Sequence, residues 1–190
     1  MRLLLFSFLL ISGTSVTPAA VIEIRTPAEL KGVQAKPVAG DVWKIHPGEY
    51  PGHNHVAGVE KLTIEAADPK NPPLFQGGSL AWQFSRCPGL TLRHLACRGQ
   101  TSNGFNFDDG GPAKGDVAGI TLENLTVSDI GPDGNFDGIK CSGLSDLTIR
   151  DCTIHGWGGQ AIDLVGCHQV VISGCHFLGK PGFSQHTGPQ

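Results

Sequence analysis

The sequence predicts an all-β solenoid, a parallel β-helix whose short strands recur along the chain and stack in register. Three observations predict it. The first is a degenerate repeat: Leu62-Thr63-Ile64, Leu90-Thr91-Leu92, Ile120-Thr121-Leu122, Leu147-Thr148-Ile149 and Val170-Val171-Ile172 begin 28, 30, 27 and 23 residues apart. A recurrence of this size marks units that bury a shared core by stacking. The second is that each unit holds three elements. A further apolar pair follows the frame (Leu95/Cys97, Leu125/Val127, Cys152/Ile154, Cys175/Phe177), and a third element ends six residues before it (Trp82-Gln83-Phe84, Ile139-Lys140-Cys141, Ile162-Asp163-Leu164). Apolar and polar residues alternate in these elements, the period of a half-buried strand. The third is composition: 27 glycines, 13 prolines and 7% aromatic residues describe a turn-rich chain.

A leucine-rich repeat competes for the same residues, because Leu144-x-x-Leu147-x-Ile149-x-x-Cys152 fits its spacing. That repeat continues into a helix. Here Thr153-Ile154-His155-Gly156-Trp157-Gly158-Gly159 is β-branched and then glycine-rich, with no helical stripe. Three strands per unit rather than one favour the β-helix.

Taken in order, the chain opens with Arg2, the apolar run Leu3 to Ile11 and small residues up to Ala20. This pattern predicts a signal peptide over residues 1–20, and a secreted or periplasmic mature protein. The run is too short to cross a bilayer, so no membrane span is expected after its removal. The solenoid domain is expected over 21–190. Val21 to Arg25 reads as a strand. Thr26 then caps a short helix, with Pro27 at its first position and Glu29 completing a capping box. That helix suits the open first end of a stack. Val42 to His46 reads as another strand, and Pro47-Gly48 as a turn.

At 190 residues and 39% apolar content the chain suits one domain. A formal charge of −3 and no basic stripe leave nucleic-acid binding without support. Zinc spacings, phosphate loops and Gly-x-Ser-x-Gly are absent from the sequence. Cys97, Cys141, Cys152 and Cys175 fall on apolar repeat positions, as buried free thiols would. Cys152 and Cys175 occupy equivalent places, so a bridge between them is the alternative.

Four segments carry a family resemblance: TPAELKGVQA, AGDVWKIHPGEY, LTIEAADPKNPPLFQGG and DGIKCSGLSDLTIRDCTIHGWGGQAIDLVGC. Together they resemble the right-handed parallel β-helix proteins of the pectate-lyase-like superfamily, and the opening is most similar to the alginate lyase and chondroitinase B family. The resemblance implies a right-handed single-stranded parallel β-helix with a short N-terminal capping helix. It also implies a polysaccharide partner, with β-elimination on an acidic glycan as the leading reaction. A glycoside hydrolase and a non-catalytic surface or carbohydrate-binding protein share the fold, so both remain alternatives. Proteins of this kind usually carry further coils, and residues 182–190 read as a turn heading into another one; an N-terminal fragment is therefore expected.

In the third element the middle residue points outward. Down successive coils that position reads Gln83, Asn106 (within Phe105-Asn106-Phe107), Lys140 and Asp163. Coils stacked about 4.8 Å apart place Lys140 between Asn106 and Asp163. Two longer connections flank the row, Asp108 to Lys114 and Gly131 to Asp137, and both carry acids. A lyase acting here needs a carboxylate clamp, a base and a proton for the leaving oxygen. Lys140 is the candidate base or clamp, Asp163 and His155 further catalytic candidates, and Gln83, Asn106 and Trp157 candidate sugar contacts. Against a basic Lys140 stands Asp163, which favours the charged ammonium; the competing reading is a surface ion pair. A hydrolase would instead pair carboxylates such as Asp137 and Asp163.

Asp133-x-Asn135-x-Asp137-Gly138 matches the first half of a calcium loop, but position twelve is Leu144 rather than glutamate, so an EF-hand is excluded. A looser calcium site from Asp133, Asn135, Asp137 and Asp108 is a candidate, set against the commoner role of such acids in shaping turns. His155 and Trp157 need no role beyond the surface. Arg93, Glu123 and Arg150 share an outward column and read as an ion-pair ladder.

Overall fold

The computed structural model describes residues 19–111 and 117–184. Most of the expected signal peptide and the tip of the first acidic loop therefore lie outside the described residues. After strand β1 (Val21–Ile24) and helix α1 (Pro27–Gln34), the chain winds through five complete three-strand coils. They are β2 (Val42–Ile45), β3 (Glu49–Pro51) and β4 (Asn54–Ala57); β5 (Thr63–Ala66), β6 (Leu74–Gln76) and β7 (Trp82–Ser85); then β8 (Thr91–Arg93), β9 (Ala96–Arg98) and β10 (Phe105–Asp108). A two-residue strand, β11 (Val117–Ala118), precedes β12 (Thr121–Glu123), β13 (Thr126–Ile130) and β14 (Ile139–Ser142), and the fifth coil is β15 (Leu144–Arg150), β16 (Thr153–Trp157) and β17 (Ile162–Val165). Strands β18 (His168–Ser173) and β19 (His176–Leu178) begin a sixth.

Three parallel sheets result. The first joins β1, β2, β5, β8, β12, β15 and β18, with β11 also on β15; the second joins β3, β6, β9, β13, β16 and β19; the third joins β4, β7, β10, β14 and β17. The repeat frame read from the sequence forms the first sheet, its following pair the second, and the preceding element the third. This is the right-handed parallel β-helix that was expected.

Inward residues stack on their equivalents in the next coil. Trp82 lies over Phe84 with centroids 5.2 Å apart and an interplanar angle of 7°, and Phe84 over Phe107 at 5.3 Å and 9°. All three are fully buried. Helix α1 begins as the sequence predicts: Thr26 Oγ1 accepts from the Glu29 amide at 3.2 Å, and Glu29 Oε2 accepts from the Thr26 amide at 3.0 Å. Leu30 reaches the core, and the helix packs on β1 and β4, closing the first end of the stack.

One expectation changes. The stack starts one coil before the repeat frame at Leu62, because β2 pairs in register with β5 and opens the first coil. Apolar periodicity hides the third strand of that coil because Asn54 occupies a core position. Its burial is made tolerable by hydrogen bonds: Nδ2 donates to Pro51 O at 2.9 Å and Ala81 O at 3.0 Å, and Oδ1 accepts from Gln34 Nε2 at 2.8 Å. The six cysteines Cys87, Cys97, Cys141, Cys152, Cys167 and Cys175 are all free thiols, the first four buried. At the far end of the described stack Leu164, Val165, Val171, Ile172, Phe177 and Leu178 are exposed.

Candidate functional site

On the third sheet, registers pair Gln83 with Asn106, Asn106 with Lys140, and Lys140 with Asp163. The row read from the sequence therefore exists on one face. It begins one coil earlier than periodicity indicated, because His55 pairs with Gln83. The spacing of His55 from Gln83 matches the repeat, and only the polar neighbour Asn54 concealed it. A second outward column beside the row runs Ala57, Ser85, Asp108, Ser142 and Val165.

Hydrogen bonds tie these side chains together. Asn106 Nδ2 donates to Gln83 Oε1 at 2.7 Å, and Gln83 Nε2 donates to Asp108 Oδ2, also at 2.7 Å. Ser85 Oγ donates to the same oxygen at 3.2 Å. Asn103 Nδ2 donates to Asn106 Oδ1 at 3.2 Å, while Asn103 Oδ1 accepts from the Asp137 amide at 2.8 Å. Each amide is thereby held in one orientation across neighbouring coils.

Lys140 sits between two carboxylates. Its Nζ donates to Asp137 Oδ2 at 3.1 Å and also to Asp163 Oδ2. Partial burial acts to lower the lysine pKa, but the bonds to Asp163 and Asp137, with their charges, outweigh it and the net direction is upward. Lys140 is thus held as an ammonium. Of its three donors, two are engaged by described residues. Asp137 was read as a loop acid, yet its side chain is fully buried, and Oδ1 accepts from the Gln160 amide at 2.9 Å.

The four expected calcium ligands are not gathered. Asp137 faces Lys140 and Gln160, Asn135 is exposed, Asp133 lies in the preceding turn, and Asp108 belongs to the β10 column bound to Gln83 and Ser85. Among the described residues no three His, Cys, Asp or Glu side chains group as a metal site. Asp108 and Asp109 bond the amides of Gly110 and Gly111, each at 2.8 Å, which is the turn-shaping role of such acids.

His155 and Trp157 lie elsewhere. Both are on β16 of the second sheet, where His155 pairs with Ser128 and Leu178. Trp157 is half-buried against the core at the far end of the stack, its indole Nε1 buried without a hydrogen-bond partner among the described residues. They do not join the Lys140 row. Beside that row a groove of about 630 Å³ is lined by His55, Ser85, Arg86, Asp108, Asp109 and Ser142, among others. Arg86 and His55 were not among the residues singled out in the sequence.

The family model described as a right-handed β-helix region matches residues 84–188. The chain belongs to that family. Two solved structures share the right-handed β-helix fold of this chain. One is an alginate lyase from Paenibacillus sp. str. FPU-7, with a TM-score of 0.70 and 20% identity over 88% of this chain and 61% of that one. The other is a rhamnogalacturonan lyase, with a TM-score of 0.58 and 16% identity over 87% of this chain and 59% of that one. The chain thus spans about three fifths of the length of either structure. No curated protein is significantly similar to it in sequence. Among the described residues of this β-helix protein no helix is long and apolar enough to cross a membrane.

Proposed function

We propose that this β-helix protein is carbohydrate-active, and that it takes an acidic polysaccharide along the outward face of the third sheet and cleaves it by β-elimination. The observation that carries the reading is the in-register row His55, Gln83, Asn106, Lys140 and Asp163 beside the 630 Å³ groove. Five coils at about 4.8 Å each present amide, ammonium and carboxylate groups at a constant repeat, which suits a polymer better than a single small molecule. Both similar structures bear the names of lyases.

In the proposed reaction a base takes the proton on the carbon next to the sugar carboxylate. That electron pair forms the carbon–carbon double bond, the glycosidic carbon–oxygen bond breaks, and the departing oxygen takes up a proton. Lys140, protonated and flanked by carboxylates, is poorly suited as the base. Its third N–H is suited to the substrate carboxylate or the departing oxygen. Asp163 positions Lys140. A hydrolase using Asp137 with Asp163 is disfavoured, since Asp137 is fully buried and hydrogen-bonded through both oxygens. The proposed site would act outside the cytoplasm, as residues 1–20 predict.

The test is to offer polyuronates to the secreted protein and follow ultraviolet absorbance of the unsaturated product. New reducing ends without that absorbance would indicate a hydrolase instead, and glycan retention without turnover a binding module. Lys140→Ala with unchanged turnover would end the candidacy of that residue.

A further inference from the structure

We infer that Arg86 is the acid-recognising residue of the groove, and that its guanidinium takes the carboxylate of a uronate unit. The inference rests on the carbohydrate reading above and assigns the residue behind its preference for an acidic glycan.

The backbone at Arg86 points to it. In the turn leaving the third sheet, equivalent positions of neighbouring coils are Gly58, Arg86, Asp109, Gly143 and Gly166, aligned by the amide bonds Gly58 N to Ser85 O, Arg86 N to Asp108 O and Gly143 N to Val165 O. The three glycines have φ of 67°, 68° and 61°, in the left-handed region, where only glycine is free of strain. Arg86 adopts the same conformation, with φ of 55°. The chain thus accepts backbone strain to place an arginine where three of its other coils place glycine and the fourth, at Asp109, leaves the left-handed region. Strain of this kind in a residue lining a groove is a pointer to function.

The side chain points the same way. Arg25 and Glu23, Arg93 and Glu123, Arg98 and Gln76, and Arg150 and Glu123 form ion pairs or hydrogen bonds. The Arg86 guanidinium makes neither with any other described residue, although Asp109 is its register neighbour. The Asp109 carboxylate turns the other way, over Gly143, where a Cβ would lie 2.5 Å from Oδ2. The stem of Arg86 is meanwhile covered by the loop, since a Cβ on Gly110 would fall 2.6 Å from its Cδ. A steadied stem with an uncommitted guanidinium is a preorganised fork for a planar carboxylate. Ser85, Ser142 and the oriented carboxylate of Asp108 line the same groove and suit the hydroxyls of that sugar.

The experiment is calorimetric titration of the secreted protein and its Arg86→Gly variant. The probes are oligogalacturonate, the same oligosaccharide with its carboxyls reduced to alcohols, and a sulfated neutral oligosaccharide. Glycine relieves the strained turn, so the variant should melt no lower than the parent. It should nonetheless lose roughly 10- to 100-fold in affinity for the oligouronate, the range for a charge-assisted hydrogen bond. Arg86→Lys should recover part of the loss. Unchanged oligouronate affinity in Arg86→Gly overturns the inference. So does a parent that binds the reduced or the sulfated probe as tightly as the oligouronate, although the carbohydrate reading then survives. A parent that binds none of the three removes the carbohydrate reading itself.

Discussion

Asp137, fully buried just before β14, bonds the Lys140 ammonium through Oδ2 at 3.1 Å and the Gln160 backbone amide through Oδ1 at 2.9 Å. The outward lysine is therefore anchored by a carboxylate of its own coil as well as by Asp163 of the next. Removing the anchor strands the half-buried Gln160 backbone amide and takes one counter-charge from Lys140. Asp137→Ala should cost about 1–3 kcal/mol of stability, the desolvation penalty of an unsatisfied buried group. A shift in the urea midpoint at constant slope measures it. No shift would mean that Gln160 and Lys140 find other partners.

The same anchoring bears on calcium. An ion bound through Asp137 would have to displace Lys140, and Asp108 is engaged with Gln83 and Ser85. Chelation of divalent cations is accordingly expected to leave the melting temperature unchanged. A rise in melting temperature on adding calcium would identify a ligand set other than the one this arrangement offers.

Acid should weaken the first sheet. Glu65 and Glu123 alternate with Lys44, Arg93 and Arg150 along its outward face, with pairs at 3.9, 3.7, 3.2 and 3.0 Å. The bond from Arg150 lowers the Glu123 pKa against the opposing effect of burial, with further lowering from Arg93 and the two charges. A carboxylate whose folded pKa is depressed stabilises the fold above its unfolded value and loses that contribution as pH falls through the folded one. The stability difference between the parent and Glu123→Gln should be full at neutral pH. It should fade below the ordinary carboxylate range, as urea titrations at stepped pH would show.

Thiol reactivity should follow burial. Burial pushes the Cys152 thiol up to about 12, and that of Cys97 further in the same direction. Neither should be alkylated by iodoacetamide in the native state, whereas half-buried Cys167 and Cys175 should react. Peptide mass mapping reads the order. Modification of Cys97 at the rate of Cys175 would contradict the stacking of Cys97 in the core.

The sheets were legible wherever a strand kept its apolar positions, as in Trp82-Gln83-Phe84 or Ile139-Lys140-Cys141. They were illegible where a polar residue took a core place, as Asn54 does through three hydrogen bonds. That one polar residue hid the third strand of the first coil and, with it, His55. Arg86 carried no periodic signal at all, because a turn residue is distinguished by its φ and not by its spacing. His155 and Trp157 drew attention as a histidine near a tryptophan, but the coil places them on the second sheet, away from the row.

The sequence by itself determined the solenoid, the three strands per coil, the capping box at Thr26 and Glu29, and the order Gln83, Asn106, Lys140, Asp163. The capping box follows from a local motif, and the rest from a periodicity that successive coils repeat. Only the tertiary structure decided that the Asp137 side chain is buried against Lys140 and not exposed from its loop, that its carboxylate helps to keep the lysine charged, and that the Arg86 guanidinium has no partner among the described residues. Those facts depend on contacts between residues of different coils or on a backbone conformation. Neither is written in the spacing of apolar residues along the chain.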